Sequence, residues 1–312
     1  MITVEQLLMT AKEQGASDVH ITVGVPPKMR VNGELLDLDY PRLMPDDCEK
    51  IVLSIMNERQ LAMFKENGEL DFSFSIPQVG RYRVNVFRQR GSVACAMRIV
   101  GTEVPKPEQL GVPQSVIDLY DKKRGLVLVT GPTGSGKSTT LYTALSELNT
   151  EDVNIITVED PVEANIDGIN QVQVNTKANL TFASALRSIL RQDPDIIMIG
   201  EIRDSETAEI AVRASITGHL VVSTLHTNST ASSVARLEDM GVESYLIADS
   251  MVGIIAQRLV RRLCECKKPK EATVEEKQLL GVDTDKSCTI YEPCGCKLCN
   301  NTGYYGRMGI YE

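Results

Sequence analysis

No run of residues approaches the ~18–20 uninterrupted apolar positions that a membrane-crossing helix requires. The opening MITVEQLLMTAKEQG carries acidic groups and has no signal-peptide core. These absences predict a water-soluble chain that stays in the cytoplasm. Positive charge is not in excess either: 33 Lys and Arg stand against 42 Asp and Glu, a formal net charge of −9. That balance argues against a protein whose main role is gripping nucleic-acid phosphates. Histidine is scarce, with three in the whole chain. Cysteine is scarce outside one segment: six of the eight fall between Cys264 and Cys299, leaving Cys48 and Cys95 alone. Without a signal peptide, such clustering points to metal ligation rather than disulfides. The two isolated thiols read as small buried apolar groups with no chemical role.

What is present is an ordinary globular composition, 42% hydrophobic and 24% charged, over 312 residues, enough for two domains of usual size. Residues 1–100 read as an α+β domain. A first helix runs from Val4 to about Gln14, and short alternating runs such as VHITV, KMRVNG and RYRVNVF follow, separated by turn residues. The segment SDVH followed by VGVPPKMRVNGEL fits a strand, a Pro-Pro bend and a hairpin turned at Asn32-Gly33, a dipeptide that tolerates positive φ at both positions. Apolar spacing over residues 46–66 predicts one helix. Three prolines and two glycines in GTEVPKPEQLGVP place a linker at residues 101–113. From 114 to 312 the apolar runs LVLVTG, NIITVED and DIIMIGE alternate with helical segments, the pattern of buried parallel strands. The second domain is therefore α/β, and it includes a Cys-rich segment at 260–305.

The strongest local signal is GLVLVTGPTGSGKSTTLYTAL. Here Gly131, four residues, and then Gly136-Lys137-Ser138 sit between an apolar strand and a helix-forming stretch. Glycines let backbone N–H groups turn inward on phosphate oxygens, and the following helix presents its positive end. Lys137 can reach the β- and γ-phosphates, and Ser138 can hold Mg²⁺. The expected ligand is ATP or GTP.

Two further strands deliver acids. DIIMIGEIRD ends on Glu201, where a Walker-B carboxylate that positions Mg²⁺ through its waters should lie. IITVEDPVEAN brings Glu159, Asp160 and Glu163 to the carboxyl end of another strand, the usual ligand edge of such sheets. One of these acids can orient an attacking water, or the cluster is simply solvated loop. In ITGHLVVSTLHTN, His219 precedes a strand and His226 follows it. Such a pair can sense a terminal phosphate and relay its presence, though a histidine is more often structural.

In order and spacing, GPTGSGKSTT, ITVEDPVE, DPDIIMIGEIRD and TGHLVVSTLHTN resemble the Walker A, Asp, Walker B and His boxes of the secretion-superfamily ATPases. These are the motors of type II secretion and type IV pilus systems, and the likeness covers nearly all of residues 1–312. The resemblance implies an α/β chain with a PAS-like N-terminal domain, a RecA-like P-loop ATPase domain and a small Cys-rich metal-binding subdomain. It also implies assembly into a homo-hexameric ring. Carried onto this sequence, it has Gly131, Pro132, Thr133, Gly134, Ser135, Gly136, Lys137, Ser138 and Thr139 cradle the phosphates. Glu163 becomes the carboxylate that polarises water, with Glu159 its nearest competitor; Glu201 is the Walker-B acid, and His219 and His226 form the His box. GRYRVNVFRQRGSVACAMRIV resembles the segment whose arginines reach nucleotide in the ring, which makes Arg83, Arg88 and Arg98 candidates. An arginine in an exposed hairpin can equally well do no more than solvate a strand edge.

RRLCECKKP and CGCKLCNNTGYYGRMGIYE resemble the tetracysteine region of assembly and type II secretion motors, implying a structural Zn²⁺ on Cys264, Cys266, Cys296 and Cys299. Cys296 and Cys299 have the usual C-x2-C spacing, whereas Cys264 and Cys266 are one residue closer; Cys288 or Cys294 could stand in. The N-terminal ASDVHITVGVPPKMRVNGEL looks closest to retraction motors, so the subtype signals conflict, and an assembly motor is the favoured reading over a retraction motor. Relatives continue beyond GRMGIYE, so the expectation is that a C-terminal helical part is missing. The function expected is ATP hydrolysis coupled to work on a platform protein of the inner membrane. The motor would be held at the cytoplasmic face through such partners, with no direct contact to nucleic acid. Three other readings compete: a nucleotide-regulated scaffold without turnover, a DNA or effector motor of the type IV secretion kind, and a small-molecule P-loop kinase.

Overall fold

Short runs in which every second residue is apolar bury one face only, so they pair into a sheet with one covered side. The computed structural model describes residues 3–31, 33–77, 79–100, 104–119 and 121–312. Its first hundred residues behave in this way. The elements are α1 (Val4–Glu13), β1 (Asp18–Ile21), β2 (Lys28–Val31), β3 (Glu34–Asp37), α2 (Pro45–Leu53), α3 (Glu58–Asn67), β4 (Glu69–Ile76), β5 (Gly80–Gln89) and β6 (Ser92–Val100). Antiparallel pairing orders the sheet β3-β2-β1-β6-β5-β4. Its inward residues include Val19, Met29, Tyr82, Val84, Val86 and Met97, which meet Leu7 and Leu8 of α1 and Ile51 and Val52 of α2 in one core. Cys48 and Cys95 are buried in it, and burial pushes both thiols above their ordinary pKa, Cys48 to about 11. The β2–β3 turn pairs Val31 with Glu34 and holds Gly33 at φ +91°; Asn32 lies outside the described residues.

The stretch expected to form one helix over 46–66 forms two. Pro45 starts α2, and Asn57 restarts the helix as the N-cap of α3. The Asn57 side chain accepts from the Gln60 N–H at 2.9 Å, while Gln60 Oε1 accepts from the Asn57 N–H at 2.9 Å. This reciprocal capping is legible as N-x-x-Q, but apolar periodicity passes over it because both helices bury the same side.

The chain divides into two compact units, Met1–Thr102 with Leu263–Tyr305, and Glu103–Arg262 with Gly306–Glu312. Residues 101–103 of the expected linker lie outside the described residues. The rest of that segment is no spacer, for Val104, Leu110 and Val112 pack into the core of the second unit. The Cys-rich segment, expected within the ATPase domain, groups with the first unit: the chain leaves the second unit after Arg262 and returns to it at Gly306.

The second unit contains α4 (Pro107–Leu110), α5 (Gln114–Ile117), β7 (Gly125–Thr130), α6 (Lys137–Leu148), β8 (Ile155–Glu159), β9 (Asn170–Gln173), α7 (Phe182–Ile189), β10 (Ile196–Ile199), α8 (Ser205–Ile216), β11 (Leu220–Leu225), α9 (Thr230–Asp239), α10 (Ser244–Ser250) and β12 (Met251–Leu263). Beyond them lie β13 (Lys268–Glu271), α11 (Val274–Leu279), β14 (Thr289–Glu292) and β15 (Tyr304–Tyr311). The main sheet is ordered β15-β12-β7-β11-β10-β8-β9, parallel from β12 to β9. Ala256 and Glu312 exchange backbone bonds of 3.0 and 2.9 Å, the mark of an antiparallel pair at the other edge.

Every residue of β7, β8, β10 and β11 is buried, because helices cover both faces. Leu126 and Leu128 point into one core with α7, α8, α9 and α10, while Val127 and Val129 point into another with α6 and residues 104–119. No helix among the described residues is long and apolar enough to cross a membrane.

Asn57→Ala removes the cap of α3 and should lower stability by about 1 kcal/mol, whereas Glu58→Ala, exposed one residue later, should leave it within about 0.5 kcal/mol. Denaturant midpoints of the two variants check this, and equal midpoints would contradict the capping role of Asn57.

Candidate functional site

Six residues turn the chain from the buried end of β7 into α6. Gly131, Gly134 and Gly136 take φ of +145°, +80° and +85°, values that side chains other than hydrogen resist. Space imposes the same choice: a Cβ on Gly136 would stand 3.1 Å from Gln257 Nε2, and one on Gly131 would collide with the Gln257 carbonyl. Gln257, in β12, is 2% exposed. Its amide donates to the Ser135 carbonyl at 2.9 Å and accepts from Thr140 Oγ1 at 2.8 Å, so one buried side chain ties the loop to the helix that follows.

No side chain caps α6, and its positive end opens onto the loop. Lys137 folds back across that opening, donating to the carbonyls of Gly131 at 2.8 Å and Pro132 at 3.1 Å. Burial lowers the pKa of its ammonium, and the charge of Glu201 works against that shift. Ser138 is half-buried in the first turn of the helix, and Pro132, Thr133, Gly134 and Thr139 form an exposed rim. Ser135 Oγ is buried with no hydrogen-bond partner among the described residues, an orphan donor inside the cradle. Such a cradle of amides, one ammonium and spare hydroxyls suits a polyphosphate.

Because the sheet is parallel, the ends of β8, β10 and β11 fall on the same edge as this loop. Glu201 follows β10, and its side chain is 15% exposed. One carboxylate oxygen pairs with the Arg203 guanidinium, and the other lies 3.5 Å from His226 Nε2. Arg203 also reaches Asp160, after β8, at 3.6 Å. The hydrogen bond to Glu201 is the main cause that raises the Arg203 pKa. His226 is steadied by its neighbour: Thr227 accepts through its carbonyl from Thr130 Oγ1 at 2.9 Å and donates its N–H back at 3.0 Å. An open cavity of about 380 Å³ lined by Arg203, His226, Arg236 and Met240 adjoins this group.

The acids of the ITVEDPVE run separate by environment. Glu159 is 3% exposed and accepts from the Tyr142 hydroxyl, from Thr157 Oγ1 at 2.5 Å and from Gln171 Nε2 at 3.1 Å. Glu163 is exposed, and its backbone N–H donates to the Tyr142 oxygen at 3.0 Å. An inward carboxylate holding three donors is an anchor; Glu163 stands in the exposed part of the same run.

His219 does not join the group within this chain. Leu220 pairs with Gly125 at the start of β7, and the Gly125 N–H donates to the His219 carbonyl at 3.1 Å. His219 therefore sits at the opposite edge of the sheet, its ring against the Ala214 carbonyl at 3.0 Å, six strand residues or ~20 Å from His226. The candidate arginines of the first unit, Arg83, Arg88 and Arg98, are all exposed. Arg83 and Arg98 are cross-strand neighbours, Arg98 pairs with Asp18 at 2.9 Å, and Arg88 lies 5.3 Å over the Phe64 ring.

Sequence reasoning missed Arg203, Tyr142 and Gln257. Tyr142 reads as one more large core residue, and Arg203 as solvated charge. Gln257 did carry a signal: an amide within MVGIIAQRL must find buried partners.

In the Cys-rich segment the Sγ atoms of Cys264, Cys266, Cys296 and Cys299 lie within 4.8 Å of one another. Cys264 to Cys296 is 3.8 Å, Cys266 to Cys299 3.9 Å and Cys296 to Cys299 3.7 Å. Metal–sulfur bonds of about 2.3 Å in a tetrahedron imply sulfur separations of about 3.8 Å, so the four fit one ion. The short C-x-C pair reaches it through a turn closed by the Lys267 N–H on the Cys264 carbonyl at 2.9 Å. Burial opposes ionisation of Cys299, but N–H donors from Cys296 at 3.2 Å and Gly303 at 3.3 Å bring its pKa to about 6. Cys288 and Cys294 lie outside the cluster.

The family described as Type II/IV secretion system protein matches residues 1–312. The type II secretion system ATPase E of Vibrio cholerae is 43% identical over 333 residues, covering 99% of this chain and 64% of that protein. The type IV pilus assembly ATPase PilB of Myxococcus xanthus is 44% identical over 328 residues, covering 99% of this chain and 57% of that one. The chain thus spans less than two thirds of the length of these relatives. A crystal structure of the pilus retraction motor PilT with bound ADP superposes with a TM-score of 0.78 at 43% identity, over 85% of this chain and 80% of that one. With the family match running the length of the sequence and the phosphate cradle formed as its motifs require, this chain belongs to the type II/IV secretion system protein family.

Proposed function

We propose that this chain is the motor subunit of a pilus-type machine, binding ATP with Mg²⁺ in the Gly131–Ser138 loop and hydrolysing it to drive assembly of a type IV pilus or type II secretion pseudopilus. The observation that carries this reading is the approach of Lys137, at the start of α6 after β7, and Glu201, after β10, to one edge of the sheet, where the charge of Glu201 opposes the burial that lowers the Lys137 pKa. In this reading the loop amides and Lys137 hold the phosphates, with Ser135 Oγ as a further donor. Ser138 is the protein ligand for Mg²⁺ and Glu201 orders its waters; when bound, the ion neutralises charge on the terminal phosphate. Glu163 polarises the attacking water. Support for Glu163 over Glu159 comes from the three donors that already occupy the Glu159 carboxylate.

His226, beside Glu201, registers the state of the terminal phosphate. His219 belongs to the other sheet edge and acts outside the chemistry of its own site. The subunits form a hexameric ring, in which one or more of Arg83, Arg88 and Arg98 neutralise phosphate charge. The ring works at the cytoplasmic face of the membrane on a platform protein. Zn²⁺ held by Cys264, Cys266, Cys296 and Cys299 staples a segment with little apolar core, and this tetracysteine favours assembly. A retraction motor is the second reading, favoured by the likeness to PilT.

Lys137→Ala should weaken ATP binding at least ~10-fold, the loss expected when a charge-assisted hydrogen bond goes. Glu163→Gln should keep ATP affinity within about twofold while phosphate release falls ~10²- to 10⁴-fold. Titration with a fluorescent ATP analogue and a phosphate-release assay separate the two, and parental turnover in Glu163→Gln would move the role to Glu159. Elemental analysis of purified protein should find about one zinc per chain and its loss in Cys296→Ser; a metal-free parent would rule out the zinc staple.

A further inference from the structure

Tyr142 looks like a core residue. Its ring packs on α6 with Leu141, Ala144 and Leu145, and it is 5% exposed. Its hydroxyl, however, joins three parts of the chain. It donates to the Glu159 carboxylate, accepts the Glu163 N–H at 3.0 Å, and receives the Ala164 N–H at 3.4 Å. Burial, the Glu159 charge and the hydrogen bond to it all raise the phenol's pKa, so the donor stays protonated. Gln171 grips the same loop from the other side. Its Nε2 donates to Glu159 at 3.1 Å and to the Ala164 carbonyl at 2.9 Å, and its Oε1 accepts the Ile166 N–H at 2.9 Å. Glu159 is therefore the hub of a clamp whose jaws, Tyr142 and Gln171, close on residues 163–166.

Tyr142 lies five residues along α6 from Lys137, about 7.5 Å of helix. The helix that begins at the phosphate cradle thus carries the atom that holds the backbone of Glu163. We propose that Tyr142 is a positioning residue for Glu163, fixing the exposed carboxylate relative to the phosphate grip through the buried Glu159 hub, with Gln171 supporting the far side of the loop. This rests on the reading of Glu163 as the carboxylate that polarises water. Glu159 acquires a role of its own, since its charge holds both jaws in one orientation. The clamp holds the backbone that carries the exposed Glu163 carboxylate, so loosening it lets that backbone shift relative to the phosphate grip. A displacement of about 1 Å at such a position costs up to ~10²-fold in rate without altering how substrate is gripped.

Tyr142→Phe keeps the ring and removes the oxygen. Steady-state ATP hydrolysis by the full chain should show kcat lowered about 10- to 100-fold and KM within about twofold, since the cradle is untouched. Gln171→Ala, at a half-exposed position, should lower kcat in the same way and carries the test if Tyr142→Phe does not fold. Because both residues act through Glu163, adding either substitution to Glu163→Gln should reduce its residual turnover no further. Parental kcat in both single variants, with Glu163→Gln inactive, overturns this inference alone. So does a double variant that falls by the product of the single effects. Parental turnover in Glu163→Gln overturns the underlying assignment instead.

Discussion

One buried amide decides how the phosphate loop is held. Gln257 reaches from β12 to the Ser135 carbonyl and the Thr140 hydroxyl, spanning the turn between β7 and α6. Left alone, a loop with three glycines in six positions has many conformations, and the entropy of restricting them opposes any fixed binding geometry. Bonds at both ends of the amide, in a site shielded from water, remove most of that freedom. The close approach of Gln257 in turn bars a side chain at Gly131 and crowds one at Gly136. Backbone conformation and packing thus impose the same residue at these positions.

The parallel sheet does the rest by geometry. In its order of strands, β7, β11, β10 and β8 are neighbours, and their carboxyl ends deliver the phosphate loop, His226, Glu201 and Asp160 to one edge. Arg203 ties two of those ends together by pairing with both Glu201 and Asp160, so acids that would repel share a cation. Thr130 and Thr227 bind a third end to the foot of the loop. The ends of four strands thus carry one connected set of groups. The same polarity places His219 at the other edge, where its ring faces the end of α8.

The Cys-rich segment follows a different physical rule. Around β13, α11 and β14 the apolar side chains Val274, Leu279, Leu280, Tyr291 and Leu298 are exposed. With little core of its own, the segment depends on the four-sulfur cluster and the N–H groups of Gly295, Cys296 and Gly303 directed at its sulfurs. The four sulfurs bring together positions some thirty residues apart, and an ion held there would replace the burial that a small segment lacks. The missing residue in the C-x-C pair is absorbed by a turn rather than by recruiting Cys288 or Cys294.

Much of this protein was written in its sequence. Alternation and apolar runs announced an α+β unit before a parallel α/β unit, and the glycine spacing announced the loop, because each signal is local; the four-cysteine set came from the resemblance, its C-x-C pair being one residue short of the usual spacing. The break at Asn57 was also local, but periodicity alone could not detect it, since both helices bury the same side. Other features depended on contacts between distant residues. Glu159 and Glu163 are indistinguishable as letters four apart; a tyrosine seventeen residues away turns one into an anchor and leaves the other outward. His219 and His226 look like a pair until strand pairing sends them to opposite edges. Sequence alone determined which groups existed and the secondary structure that would carry them, because those follow from the chemistry of neighbours. The partner of each group, and whether it met water, was decided by the tertiary structure, because hydrogen bonds such as Gln257 to Ser135 join residues more than a hundred positions apart.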